Sequence, residues 1–90
     1  MLFMVVERFR GGDALPVYRR ARERGRMLPD GVEYVASWVD LDFARCYQLM
    51  RAESAAALEP WLAQWRDLVD FDVVPVRESK EASAIIAPRL

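Results

Sequence analysis

Apolar and polar positions alternate along residues 32–39 (VEYVASWV) and 43–51 (FARCYQLMR), with a short break at Asp40–Leu41–Asp42 between them. A period of two, with aromatic and β-branched residues, predicts a β-hairpin. Leu2–Phe9 is a third strand-like run, apolar at both parities until Glu7 and Arg8, which predicts a central strand. Phe71–Arg77 is a fourth. Pro75 within it removes a ladder donor and predicts an edge position.

Between these runs the period changes to that of a helix. After Arg10–Gly11–Gly12, Asp13 is a candidate N-cap and Pro16 falls in the first turn. Val17, Tyr18, Ala21, Gly25 and Leu28 then form one stripe of a helix reaching about Arg26. A second helix is expected from Ser54, with Leu58, Trp61, Leu62, Trp65 and Leu68 on its apolar face and Pro60 bending its start. Ser79 is a candidate cap for a short last helix, Lys80–Ala87, stopped by Pro88.

The order β-α-β-β-α-β is a split βαβ unit. It predicts one α+β domain over residues 1–90, ferredoxin-like, with residues 78–90 as a terminal helix and tail. The antiparallel sheet should run in the order 4-1-3-2 with the helices on one face. A short hairpin loop would pair residues summing to 83: Trp38 with Arg45, Ala36 with Tyr47, Tyr34 with Leu49. Strand 1 is apolar on both faces and helices cover one, so a homodimer through the other face is expected.

Composition sharpens this. Ninety residues bury only about 60–65% of their unfolded surface, yet 53% are hydrophobic, with three Trp, three Tyr and four Phe. Apolar content above what a small core absorbs favours a subunit interface. The net charge is −1, and the basic run Arg19–Arg26 is interleaved with Glu23, so a nucleic-acid partner is not expected. No apolar run approaches the roughly 20 residues of a membrane span, and the opening MLFMVV is too short for a signal-peptide core. One cysteine, Cys46, permits no intrachain disulfide and fits a cytoplasmic setting.

The chain has no His, which removes the usual general base near neutral pH and the commonest transition-metal ligand. Asp40 and Asp42, and Asp67, Asp70 and Asp72, lack the further oxygen ligands a hard cation needs. No metal or cofactor is expected, and Cys46 reads as a buried structural thiol. Glu7 is the outlier: a carboxylate in a strand expected to be covered needs a partner or has a raised pKa. The candidate ligand site is Glu7, Trp38, Tyr47, Trp61 and Trp65, aromatic walls around one polar group.

The opening MLFMVVERFR, PVYRRARERGR, SWVD…RCYQLM and WLAQWRDLVDFDVVPV together resemble a small bacterial domain-of-unknown-function family (DUF3303-like) over nearly the whole chain. Pro60 and the Ala-rich stretch before it depart from that pattern. The layout is similar to the dimeric α/β-barrel superfamily, in which two βαββαβ subunits pair their sheets. Its members include cofactor-independent monooxygenases, haem-degrading enzymes and proteins of no known activity. The resemblance implies the fold and a dimer and brings no catalytic residues. Three functions follow as expectations: a dimeric small-ligand-binding domain; a cofactor-independent monooxygenase-like enzyme on an aromatic substrate; or a structural interaction module. Haem chemistry is disfavoured without an axial His.

Overall fold

A computed structural model describes residues 1–90. Four strands, β1 (Leu2–Phe9), β2 (Glu33–Val39), β3 (Arg45–Arg51) and β4 (Val69–Val76), form one antiparallel sheet in the order β2-β3-β1-β4. This is the expected order read from its other edge, with β1 central and Pro75 on an edge strand. No helix is long and apolar enough to cross a membrane.

Strand parity decides what faces the core. Phe3, Val5, Glu7 and Phe9 of β1 are buried, as are Cys46, Gln48 and Met50 of β3. The register sets Phe3 opposite Met50, Val5 opposite Gln48 and Glu7 opposite Cys46. Over this face lie helix α1 (Leu15–Arg24) and a compact α2 segment. Leu58, Trp61, Leu62 and Trp65 close the core from above.

The α2 segment departs from expectation. Its α-helix is only Glu59–Ala63, preceded by a 3₁₀ turn at Ala56–Leu58. Pro60 therefore sits in the first helical turn, where its missing N–H is no loss. After Ala63 the chain tightens into i→i+3 bonds, Trp61 O to Gln64 N and Leu62 O to Trp65 N, and turns into β4. Ser54 caps the 3₁₀ turn, its Oγ accepting from the Ala57 N–H at 3.3 Å. Likewise Asp13 lies one residue before the α1 cap and accepts from the Leu15 N–H at 3.0 Å.

The hairpin register also differs. Trp38 pairs with Tyr47, Ala36 with Leu49 and Ser37 with Gln48, two residues from the short-loop expectation. The loop spans Asp40–Ala44, with Phe43 in the left-handed region at φ 59°. A bulge between Tyr34 and Ala36 absorbs the offset further along. Because the shift is even, Ala36, Ser37 and Trp38 keep their expected faces, but the bulge sets Tyr34 opposite buried Met50 and so turns it to the core face instead of the outer one. Arg45 now lies opposite Arg8, and the Trp38–Arg45 stack does not form.

The second sheet face has no cover. Leu2, Met4, Val6, Ala36, Trp38, Tyr47, Leu49, Val74 and Val76 share it by register. Trp38 is 55% and Val74 46% exposed. Helix α3 (Ser79–Ile86) gives no shelter: residues 77–90 are all exposed. The radius of gyration is 14.8 Å, against roughly 12 Å for a compact chain of this length.

Candidate functional site

A cleft of about 210 Å³ lies between the sheet and α1, open on one side. Its floor is Glu7, Cys46 and Gln48 from the inward rows of β1 and β3. Trp61 and Trp65 form one wall, Val17, Tyr18 and Ala21 of α1 another, and Phe9, Ser37 and Val39 complete the lining. Gly25 and Arg26, where α1 ends, stand at its mouth.

The roof is fastened by Arg20. Its guanidinium donates two bonds to Asp67, each 2.7 Å, and one to the Gln64 carbonyl at 2.9 Å, while lying over the Trp65 ring. Arg20 is thus partly sheltered, unlike the exposed Arg19 and Arg24 on the same helix. The ion pair holds the Asp67 carboxyl below its ordinary range.

Glu7 is 5% exposed. Its Oε2 accepts a hydrogen bond from Gln48 Nε2, and the Cys46 thiol lies beside its carboxylate, opposite it in the ladder. Gln48 Oε1 in turn accepts from Arg26 Nε at 3.5 Å. No arginine makes an ion pair with Glu7. Burial raises its pKa, against the smaller opposing effects of Gln48, Cys46 and Arg26. The same burial, with the Glu7 charge beside it, pushes the Cys46 thiol up to about 12. Tyr18 at the rim is raised as well, first by desolvation and then by Cys46 and Glu7.

Two predictions arise from this network. A folded-state pKa above the unfolded 4.5 means that the native Glu7 binds its proton more tightly. Its contribution to stability is therefore full below that value and lost as pH rises through the raised one. Glu7→Gln should remove this loss, stabilising the domain at pH 7 by roughly 1–2 kcal/mol. Urea denaturation of both proteins between acid and neutral pH should show curves converging toward acid. The Arg20–Asp67 pair has the opposite sign, favouring the fold above 3.8 and fading as pH falls through the lowered value.

For Cys46, a rise from 9.0 to about 12 lowers the thiolate fraction at pH 8 on the order of 10³-fold. Iodoacetamide should barely label the native protein at that pH and label it quickly in denaturant. Rapid native labelling would contradict the buried Glu7–Cys46 contact.

The sequence candidates divide by face. Glu7, Trp61 and Trp65 meet in the cleft. Trp38 and Tyr47 lie side by side on the opposite, uncovered face. Sequence reasoning omitted Gln48 and Arg26. The signal for Gln48 was parity: a polar residue on the inward row of β3, two positions from Cys46. Arg26 carried no local signal, because it read as the end of a solvated helix.

These features can hold a small apolar molecule and offer it an acid or acceptor from Glu7. No group of His, Cys, Asp and Glu is arranged to hold a metal ion. No curated protein and no solved structure matches the chain. The family model described as a domain of unknown function, DUF3303, matches residues 1–90, the whole of the chain. With its βαββαβ order and split-βαβ sheet, the protein belongs to the DUF3303 family.

Proposed function

We propose that this domain binds a small, largely apolar molecule in the cleft over Glu7 and works as a homodimer joined through its uncovered sheet face. The observation that carries the first half is the cleft itself. A 210 Å³ space walled by aromatic and aliphatic side chains, with a desolvated carboxyl on its floor, has the form of a ligand site. A merely structural domain of 90 residues gains nothing from a buried carboxyl without a cationic partner. Glu7 and the two tryptophans are assigned to the ligand, and Trp38 and Tyr47 to the subunit contact.

The dimer rests on the chemistry of the second face. A sheet face meeting water is ordinarily polar, and on this one the apolar side chains from Leu2 to Val76 outnumber the charged Arg8, Arg45, Asp70 and Asp72 at one end and Glu33 and Arg51 at the other. Both sheet edges are blunted, β2 by its bulge and β4 by Pro75, which disfavours association through strand pairing. Face-to-face packing is the remaining way to shelter the apolar rows.

The three tryptophans report on both surfaces. In an NMR titration with small aromatic compounds, the indole N–H signals of Trp61 and Trp65 should shift and that of Trp38 should not. Shifts confined to Trp38, or none, would overturn the cleft as the binding site. The cofactor-independent monooxygenase-like alternative has one specific support, the raised pKa of Glu7, which suits a proton acceptor for an acidic phenolic or enolic substrate. It predicts oxygen consumption with such a substrate that is lost in Glu7→Gln.

A further inference from the structure

Arg26 is set apart from the other arginines by its place: Arg19, Arg22, Arg24, Arg45, Arg77 and Arg89 also lack an ion pair, but none of them lines the cleft. Arg8, Arg10, Arg20, Arg51 and Arg66 each form an ion pair with a carboxylate. Arg26 forms none, and it is the one cation lining the cleft. It is nevertheless held at three points. The Trp65 indole donates to its backbone carbonyl at 3.1 Å. Its Nε donates to Gln48, and its guanidinium carbon lies over the Tyr34 ring at 3.6 Å from the centroid. Tyr34 is itself fixed, its hydroxyl 2.8 Å from Ser37 Oγ.

The backbone contributes too. Gly25 and Met27, on either side of Arg26, both have φ in the left-handed region, 67° and 61°. Glycine adopts that geometry freely, whereas methionine does so at a cost of about 1 kcal/mol. The pair of reversals turns the chain back so that Arg26 reaches the cleft. Its two terminal nitrogens make no protein hydrogen bond, because the Nε contact is the side chain's one bond. A guanidinium whose ordering is already met by the fold, with its paired donors free, is preorganised for a planar anion.

From this arrangement we infer that the cleft selects a small aromatic monoanion, an arene carboxylate or close analogue, its carboxylate on the Arg26 terminal nitrogens and its ring between Phe9, Val17, Trp61 and Trp65. The inference rests on the cleft's being a ligand site. Size agrees: a cavity of about 150 Å³ accepts benzene, and 210 Å³ accommodates one ring with a short substituent. Gln48 links Arg26 to Glu7, so a hydroxyl near the carboxylate end of the ligand would meet the Glu7 carboxyl.

Cinnamate and its uncharged amide, cinnamamide, test this in NMR titrations of the Trp61 and Trp65 indole signals. Cinnamate should bind at least about tenfold more tightly at low salt, and the advantage should shrink as salt is added. Arg26→Gln should abolish the preference, weakening cinnamate binding far more than cinnamamide binding. Arg66→Gln, an exposed arginine outside the cleft, should keep it. Equal binding of acid and amide, or a preference that survives Arg26→Gln, would overturn the anion assignment and leave the cleft intact as a ligand site. Failure of both compounds up to their solubility would overturn the cleft reading itself, and the assignment with it.

Discussion

Trp61→Ala should cost about 3–5 kcal/mol, the upper range for deleting a buried aromatic side chain. A 90-residue domain has only roughly 5–13 kcal/mol in total at 0.05–0.15 kcal/mol per residue. Trp61 is 2% exposed, packs on Phe71 at 6.1 Å between ring centroids and belongs to the core formed with Leu58 and Leu62. Few groups can move to fill its place. The five-residue α-helix of α2 is too short to hold itself together, and the existing cleft would simply enlarge. The melting temperature should fall by roughly 12–40 °C at about 4–8 °C per kcal/mol. Trp61→Phe should cost far less, because the indole Nε1 is buried without an acceptor and its loss removes an unsatisfied donor. Calorimetry on the two variants checks both statements; similar melting points for Trp61→Ala and the parent would contradict this packing.

Trp38→Glu should separate the proposed dimer without harming the subunit. Trp38 is 55% exposed in the isolated chain, next to Tyr47 across the hairpin, so the monomer has little packing to lose. In a face-to-face dimer the new carboxylate would be set against Val6, Tyr47 and Leu49, and the cost of desolvating it would exceed what pairing with Arg45 on the neighbouring strand returns. Desolvating it should weaken association at least about 100-fold, about 3 kcal/mol. Sedimentation velocity should then show a monomer at micromolar concentration with an unchanged circular dichroism spectrum. Leu41→Glu, at the fully exposed hairpin tip, should leave the dimer alone. An unchanged sedimentation coefficient in Trp38→Glu would move the subunit contact off this face.

What was legible in the sequence follows the range of the forces involved. Strand order and the edge position of β4 follow from local periodicity, from connection rules and from Pro75, all visible within a few residues. The α2 segment was not legible at its true length. The apolar spacing of Leu58, Trp61, Leu62 and Trp65 is helical, but the need to turn into β4 at Val69 converts the last turn to i→i+3 bonding. The hairpin register depended on the loop conformation at Phe43 and on the bulge near Ala36, neither of which has a glycine signal.

The candidate site shows the same division. Glu7 stood out because a carboxylate breaks an apolar row. Grouping it with Trp38 and Tyr47 required knowing how β1 pairs with β3, a contact some 40 residues apart in the chain. Once Glu7 lies opposite Cys46, parity sends Tyr47 and its neighbour Trp38 outward. Arg26 was invisible for a related reason: its place at the cleft depends on Gly25 and Met27 reversing the chain and on the indole of Trp65, 39 residues away, donating to its carbonyl.

Native mass spectrometry of the protein purified gently from its own host tests the account as a whole. It should give a species of twice 10.4 kDa carrying a small molecule that leaves on collisional activation. A bare monomer over the micromolar range would contradict it.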